Sequence, residues 1–133
     1  RFAINVLSSG VLPKHVALII DGNRRWARQR GKKPFEGHYT GLDILPKALT
    51  WIRVFDIPEV TVYMFSIENL KRSQQEIDWI MNLIMNLFKK IFREINDFHE
   101  NGIRIQFFGN FDLMPPKIRS NAAKIELATK NNS

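Results

Sequence analysis

HVALIIDGNRRWARQRG, residues 15–31, is the stretch on which the fold turns. Five apolar residues, 16–20, open it and read as a strand buried on both faces. The run breaks at Asp21-Gly22-Asn23 and becomes strongly basic, with Arg24, Arg25, Arg28, Arg30, Lys32 and Lys33. A buried strand that ends in a glycine turn and opens a basic helix is how α/β proteins present groups to phosphate. The turn offers backbone N–H groups at a helix N-terminus, where the dipole favours anions. Arginines add bidentate, charge-assisted hydrogen bonds to phosphate oxygens. Asp21, at the carboxyl end of the strand, is a hard oxygen ligand suited to magnesium beside a diphosphate. The stretch therefore predicts a site for a phosphorylated ligand with a metal next to it. The plainer alternative is a tight turn followed by a solvated basic helix, since such turns are common.

The chain has 133 residues, enough for one domain with a single core. Its 44% hydrophobic content fits an ordered globular protein. Ten Phe against two Tyr means that aromatic volume is buried or lines something apolar. With no Cys there is neither a disulfide framework nor a thiolate metal site, which fits a reducing compartment. The net charge is +7, and residues 14–33 hold seven basic residues against one acid. An excess gathered in one place favours an anionic ligand site, whereas a dispersed one favours nucleic acid or a membrane surface. The apolar run 79–88 is well short of the roughly 20 residues that a membrane-spanning helix needs. RFAINVLSSG shows no signal-peptide pattern, and we read the start at Arg1 as internal.

Residues 1–14 form an amphipathic lead-in; its Phe2, Ile4, Val6 and Leu7 suit a membrane surface or a dimer contact. Gly31 and Pro34 are expected to end the basic helix and begin a loop through Glu36-Gly37-His38. Over residues 39–55, Leu42, Leu45, Leu49 and Ile52 recur at helical spacing, with Pro46 expected to kink the helix or shift its start. Asp56-Ile57-Pro58 turns the chain, and 60–65 reads as a second strand ending at Ser66. Ser73-Gln74-Gln75-Glu76 has capping-box spacing and predicts a helix from Ser73 to about Glu100. Asn101-Gly102 stops it, 103–108 reads as a third strand, and Pro115-Pro116 starts a last helix to about Thr129. The order β-α-α-β-α-β-α gives an α/β fold with a mainly parallel sheet flanked by helices. Three strands make a poor sheet of this kind, so the domain reads as incomplete.

The second strand also ends in polar chemistry, SIENLKR, with Ser66, Glu68, Asn69, Lys71 and Arg72. Carboxyl ends of neighbouring parallel strands face one crevice, where ligands bind. Singly, Ser66 and Asn69 are explained by turn formation, and His38 by a surface loop. The Met- and Phe-rich long helix reads first as core, with the wall of a long apolar cavity as the alternative.

Together, PKHVALIIDGNRRWAR and VTVYMFSIENLKRS resemble the two long signatures of the cis-prenyltransferases, the undecaprenyl and dehydrodolichyl diphosphate synthases. SIEN, with Arg24 in place of a glycine, is similar to the eukaryotic dolichol-type branch. The likeness covers nearly the whole chain, including the spacing to His38 and the turn at Gly109-Asn110. It implies elongation of an allylic diphosphate, such as farnesyl diphosphate, with isopentenyl diphosphate, each new double bond being cis. Asp21 matches the family's essential aspartate, which acts with magnesium. Gly22, Asn23, Arg24 and Arg25 match the cradle of the allylic diphosphate, with Trp26 at an aromatic position and His38 beside them. Asn69 matches the residue assigned to proton removal, next to Ser66. Ile67, Glu68, Leu70 and Arg72 fall among substrate-site positions, with the acidic Glu76 after them. The long helix and Phe65 match the wall of the tunnel that takes the growing chain.

Two departures stand out: Pro34 holds a position usually arginine, and Leu70 one often Trp or Phe. The family also continues with further strands and an arginine–serine–glycine–glutamate signature that binds isopentenyl diphosphate, completes the metal site and builds a dimer. Residues 1–133 thus read as the N-terminal portion of one catalytic domain, expected to lack elongation activity alone. The resemblance further implies a homodimer or heterodimer at the cytosolic face of the endoplasmic reticulum, in dolichol synthesis for protein glycosylation. A non-catalytic subunit is the second reading, although such partners generally lose the Asp-Gly-Asn-Arg-Arg turn. A nucleic-acid-binding module is the third, disfavoured by few aromatics in the basic stretch and by Asp21.

Overall fold

The computed structural model describes residues 4, 6–7 and 9–132, and the chain divides into two compact units, Arg1–Ile77 and Asp78–Ser133. Of the lead-in, Phe2 lies outside the described residues, while Val6 and Leu7 are exposed.

The first unit is built on a parallel pair, β1 (His15–Ile19) and β2 (Glu59–Tyr63), in the register His15↔Glu59 to Ile19↔Tyr63. The connection carries two helices, α1 (Asn23–Gln29) and α2 (Pro34–Val54). The first strand is not buried on both faces as its apolar run predicts. Val16, Leu18, Val60 and Val62 are half-buried, while His15, Ala17, Ile19, Glu59, Thr61 and Tyr63 are exposed. Side chains alternate along a strand, and in this two-stranded sheet only one face is covered among the described residues. On the open face His15 Nε2 lies 2.8 Å from Thr61 Oγ1, tying the strands at their start.

The expected loop at Glu36-Gly37-His38 is instead the opening of α2. Pro34 takes the first helical position, where its missing N–H costs nothing. Glu36 Oε2 accepts the Lys33 backbone N–H at 2.9 Å, a cap that makes the proline a beginning rather than an end. The helix runs on past Pro46 to Val54, with Leu45 buried and Leu49 exposed. α1 is seated against α2 at Gly37, where an added Cβ would collide with the Asn23 carbonyl and come within 3.1 Å of the Ala27 Cβ. Ala27 is fully buried there.

α3 (Gln74–Arg93) begins at the predicted place, with Ser73 Oγ accepting the Glu76 N–H at 3.3 Å. It ends sooner than predicted. The Glu94 N–H is shared between the Lys90 and Ile91 carbonyls, each at 3.1 Å, and the chain resumes as α4 (Ile95–Glu100). Such a shared bond tightens the last turn and ends the regular ladder. α5 (Pro116–Thr129) matches the sequence reading.

In the second unit, Ile80, Leu83, Ile84 and Phe88 of α3 and Ile118, Ala122 and Ile125 of α5 are buried. Phe88 meets Phe107 edge-on, ring centres 5.2 Å apart. The expected third strand, 103–108, has no strand partner among the described residues. Its backbone is satisfied by side chains instead. Asn132 Nδ2 donates to the Ile103 carbonyl at 2.8 Å, Thr129 Oγ1 accepts the Ile105 N–H at 3.0 Å, and Glu126 Oε1 accepts the Phe107 N–H at 2.7 Å. Backbone groups shielded from water must be paired, and at the half-buried Ile105 and Phe107 side chains of α5 pair them.

Candidate active site

Both signature segments leave the parallel sheet at the same end, because parallel strands share their carboxyl side. After β1, the Asp21 Oδ1 accepts the Gly22 N–H at 2.5 Å. Gly22 sits at φ 83°, a left-handed conformation that a side chain would strain, and its carbonyl accepts the Trp26 N–H at 2.9 Å to open α1. Arg25 folds back so that its Nη2 would lie 3.5 Å from a Cβ at Gly22. α1 has only seven residues, so its dipole is a minor part of any attraction for anions.

After β2 comes a 3-10 turn, Ile67–Lys71, which holds Ile67, Glu68, Asn69 and Leu70. Asn69 Oδ1 accepts the Ser66 N–H at 3.0 Å, so the amide is oriented by the very loop it closes. Ile67 and Glu68 are exposed, and Glu68 pairs with Lys71 at 2.7 Å in solvent. Leu70 is half-buried.

Glu76 joins the segments. Its Oε1 lies 2.9 Å from Arg72 Nη1, 3.4 Å from His38 Nε2 and 3.8 Å from Arg24 Nε. The carboxylate is 13% exposed, Arg72 18% and His38 14%, while Arg24 is 57% exposed and faces solvent. Burial holds the His38 imidazole below its usual 6.5; the hydrogen bond to Glu76 opposes the shift and Arg72 and Arg24 reinforce it. His38 is therefore neutral at pH 7, and two guanidinium groups stand against one carboxylate. The largely buried Arg72–Glu76 pair is balanced, and the excess positive charge comes from Arg24 at its solvent side, where a further anion could meet it.

The structure thus brings together Arg24, His38 and Arg72 around one oxygen. It does not tie Arg25 to Arg72: Arg25 stays by Gly22. Trp26 is half-buried under two cations, with Arg30 at 4.6 Å and Lys32 at 5.5 Å from its ring. These two basic residues are spent on the indole.

Glu76 has a weaker place in the sequence reading than the geometry gives it. The capping-box spacing explains it locally, yet only Ser73 performs its half; the Glu76 carboxylate turns to Arg72 and His38. Gly37 is the second residue missed, and a Gly-x-x-x-Gly spacing with Gly41 was the available signal.

Among the described residues no group of three or more His, Cys, Asp or Glu side chains is arranged to enclose a metal ion. Asp21 offers a single carboxylate. Magnesium binds through one or two carboxylates, completing its shell with phosphate oxygens and water. The donor set fits an ion that arrives on a diphosphate and does not fit one enclosed by protein alone.

The family model described as undecaprenyl diphosphate synthase, a prenyltransferase, matches residues 19–133. The chain belongs to this family of cis-prenyltransferases. It is 42% identical over 132 residues to a geranylgeranyl-diphosphate-specific tritrans,polycis-undecaprenyl-diphosphate synthase of Thermococcus kodakarensis, covering 99% of this chain and 50% of that one. It is 40% identical to a human dehydrodolichyl diphosphate synthase complex subunit, covering 98% of this chain and 39% of that one. Among solved structures, lavandulyl diphosphate synthase from Lavandula x intermedia in complex with dimethylallyl diphosphate superposes with a TM-score of 0.82 at 26% identity, covering 91% of this chain and 51% of that one. The chain thus spans about half the length, or less, of the curated relatives it matches. The family's fold is the expected α/β one, a parallel sheet flanked by helices, of which this chain holds a part. No helix among the described residues is long and apolar enough to cross a membrane.

Proposed function

We propose that this chain supplies the allylic-diphosphate half of a cis-prenyltransferase of the dehydrodolichyl diphosphate synthase type. The observation that carries the reading is the meeting of Arg24, from the first signature, with Arg72, from the second, at Glu76 Oε1. Two cationic groups brought to one carboxylate, one of them three positions after Asp21, are what a departing diphosphate needs.

In the proposed reaction the bond between C1 of the allylic chain and its diphosphate oxygen breaks. A bond forms from that carbon to C4 of isopentenyl diphosphate, and a proton leaves C2. Arg24, Arg25 and Arg72 take up the charge of the departing diphosphate, with Gly22 and Asn23 shaping its seat. Magnesium, when bound through Asp21, supplies further neutralisation of that charge. An amide is too weak a base to hold the proton, and Asn69 is already oriented through its oxygen. We assign Asn69 and Ser66 to placing isopentenyl diphosphate, and the proton to a phosphate oxygen.

Farnesyl diphosphate is the primer in this reading, and the product is a long polyprenyl diphosphate for dolichol. We further propose peripheral association with the endoplasmic reticulum and a dimeric enzyme. The test is magnesium-dependent incorporation of isopentenyl diphosphate by the intact protein. Farnesyl diphosphate is expected to be the better primer, and Asp21→Ala to abolish product; wild-type turnover in that variant overturns the reading. Preference for geranylgeranyl diphosphate would align the chain with the Thermococcus relative instead. A second reading, a subunit that needs a partner, is favoured by the human relative's name as a complex subunit. Turnover by the purified intact chain alone excludes it.

A further inference from the structure

Gly41 occupies the half-buried side of α2, one turn beyond Gly37, and nothing in the reaction chemistry accounts for it. A Cβ built at Gly41 would collide with the Asn23 amide, whose Oδ1 is the nearest atom, followed by Cγ at 2.9 Å and Nδ2 at 3.1 Å. The two glycines differ in what they touch. Gly37 faces the Asn23 backbone, its carbonyl oxygen and carbon, and so sets the seat of the whole helix α1. The three atoms nearest Gly41 all belong to the end of the Asn23 side chain. The other hold on that amide is a long 3.5 Å bond from Nδ2 to the Ile20 carbonyl. The direction of the Asn23 amide is therefore set by the space left at residue 41.

We propose that Gly41 is a positioning residue, acting through the Asn23 side chain on the seat of the diphosphate. The inference rests on the reading of the Asp21–Arg25 turn as that seat. Alanine at residue 41 meets the movable end of a side chain rather than backbone, so the amide swings away while α1 stays in place.

The experiment is a double-substitution cycle in the intact protein, with inorganic pyrophosphate and magnesium as the probe and calorimetric titration as the readout. Gly41→Ala alone is expected to weaken binding about tenfold, because one hydrogen-bonding group is misdirected. In an Asn23→Ala background, where the amide is gone and the space is open, Gly41→Ala is expected to change nothing further. The side-chain amide resonance of Asn23 should shift in Gly41→Ala while the backbone resonances of α1 stay in place; a merely structural glycine would move both. Unchanged binding in Gly41→Ala, or losses that multiply in the double variant, overturn the inference while leaving the diphosphate reading intact. If the wild-type protein does not bind the probe, the diphosphate reading fails, and the resonance shift alone decides whether Gly41 directs Asn23. Should Gly41→Ala fail to fold, recovery of folding in the double variant upholds the contact, and its failure to recover refutes it.

Discussion

Two glutamates, one in each unit, show opposite uses of a partly buried carboxylate. Glu126 accepts one backbone N–H, from Phe107, alongside Thr129 and Asn132, which serve the same extended segment. The polar atoms there answer backbone atoms, Thr129 Oγ1 and Asn132 Nδ2 more than one each, and the result is a completed fold. Glu76 gathers two arginines and a histidine on a single oxygen. Placing two arginines, one of them largely in solvent, against one carboxylate is poor economy for stability. It is good economy for a site that must receive another anion. The contrast separates polar groups that hold the chain from those held ready by it.

The sharpest way to break the contrast is Glu76→Gln. It keeps the shape and removes the charge that aligns Arg24 and Arg72, so turnover of the intact protein should fall on the order of 100-fold. Arg72, 18% exposed, loses its charged partner, so the thermal midpoint should fall as well; a stability loss with normal turnover would put Glu76 in the other class. Thr129→Val is the reverse test. The hydroxyl is fully buried and its loss strands the Ile105 N–H, at a cost of about 1–3 kcal/mol in urea unfolding. Turnover per folded molecule should be unchanged.

A pH series gives a smaller effect. His38 takes up a proton less readily in the folded chain than in the unfolded one, whose value is near 6.5. The unfolded chain therefore binds more protons as the pH falls through that value, and the folded state loses stability. The stability is fully present above 6.5 and declines below it; His38→Gln should flatten the decline measured by denaturant titration. The smallest effect belongs to the Glu68–Lys71 pair, with both side chains more than 70% exposed. Lys71→Ala should change stability by less than about 0.5 kcal/mol, and a larger loss would mean that exposed charge matters here as much as Glu76.

Much of this was legible beforehand, for reasons that differ by element. The Asp21-Gly22-Asn23 turn, the second strand, the helix start at Ser73 and the helix Pro116–Thr129 were readable because local chemistry specifies them. The segment 103–108 was misread because a short apolar run between turns reports extended backbone, not the identity of its hydrogen-bond partners. The first turn of α2 was misread because Pro34 after a glycine signals an end as readily as a beginning, and only the Glu36 cap distinguishes them. Glu76 was underrated because a sufficient local explanation, capping, hid its long-range partner His38, 38 positions earlier. The Gly37–Gly41 spacing signals a close helix contact, but that Gly41 touches the Asn23 side chain is set by helix packing and not by its neighbours in the chain.

The pairing of Ile19 with Tyr63 has a mechanical implication. Asp21 and Ser66 lie 45 positions apart, and the ladder between the strands acts as the ruler that sets one against the other. Sliding β2 by a single notch would carry Arg72 about 3.3 Å along and turn every β2 side chain to the opposite face. Glu76, four positions after Arg72, would move with it, so the contacts broken are those of Glu76 to His38 and Arg24, now 3.4 and 3.8 Å. Misalignment at the far end of the sheet, beside His15 and Glu59, would thus dismantle a charge cluster it never touches.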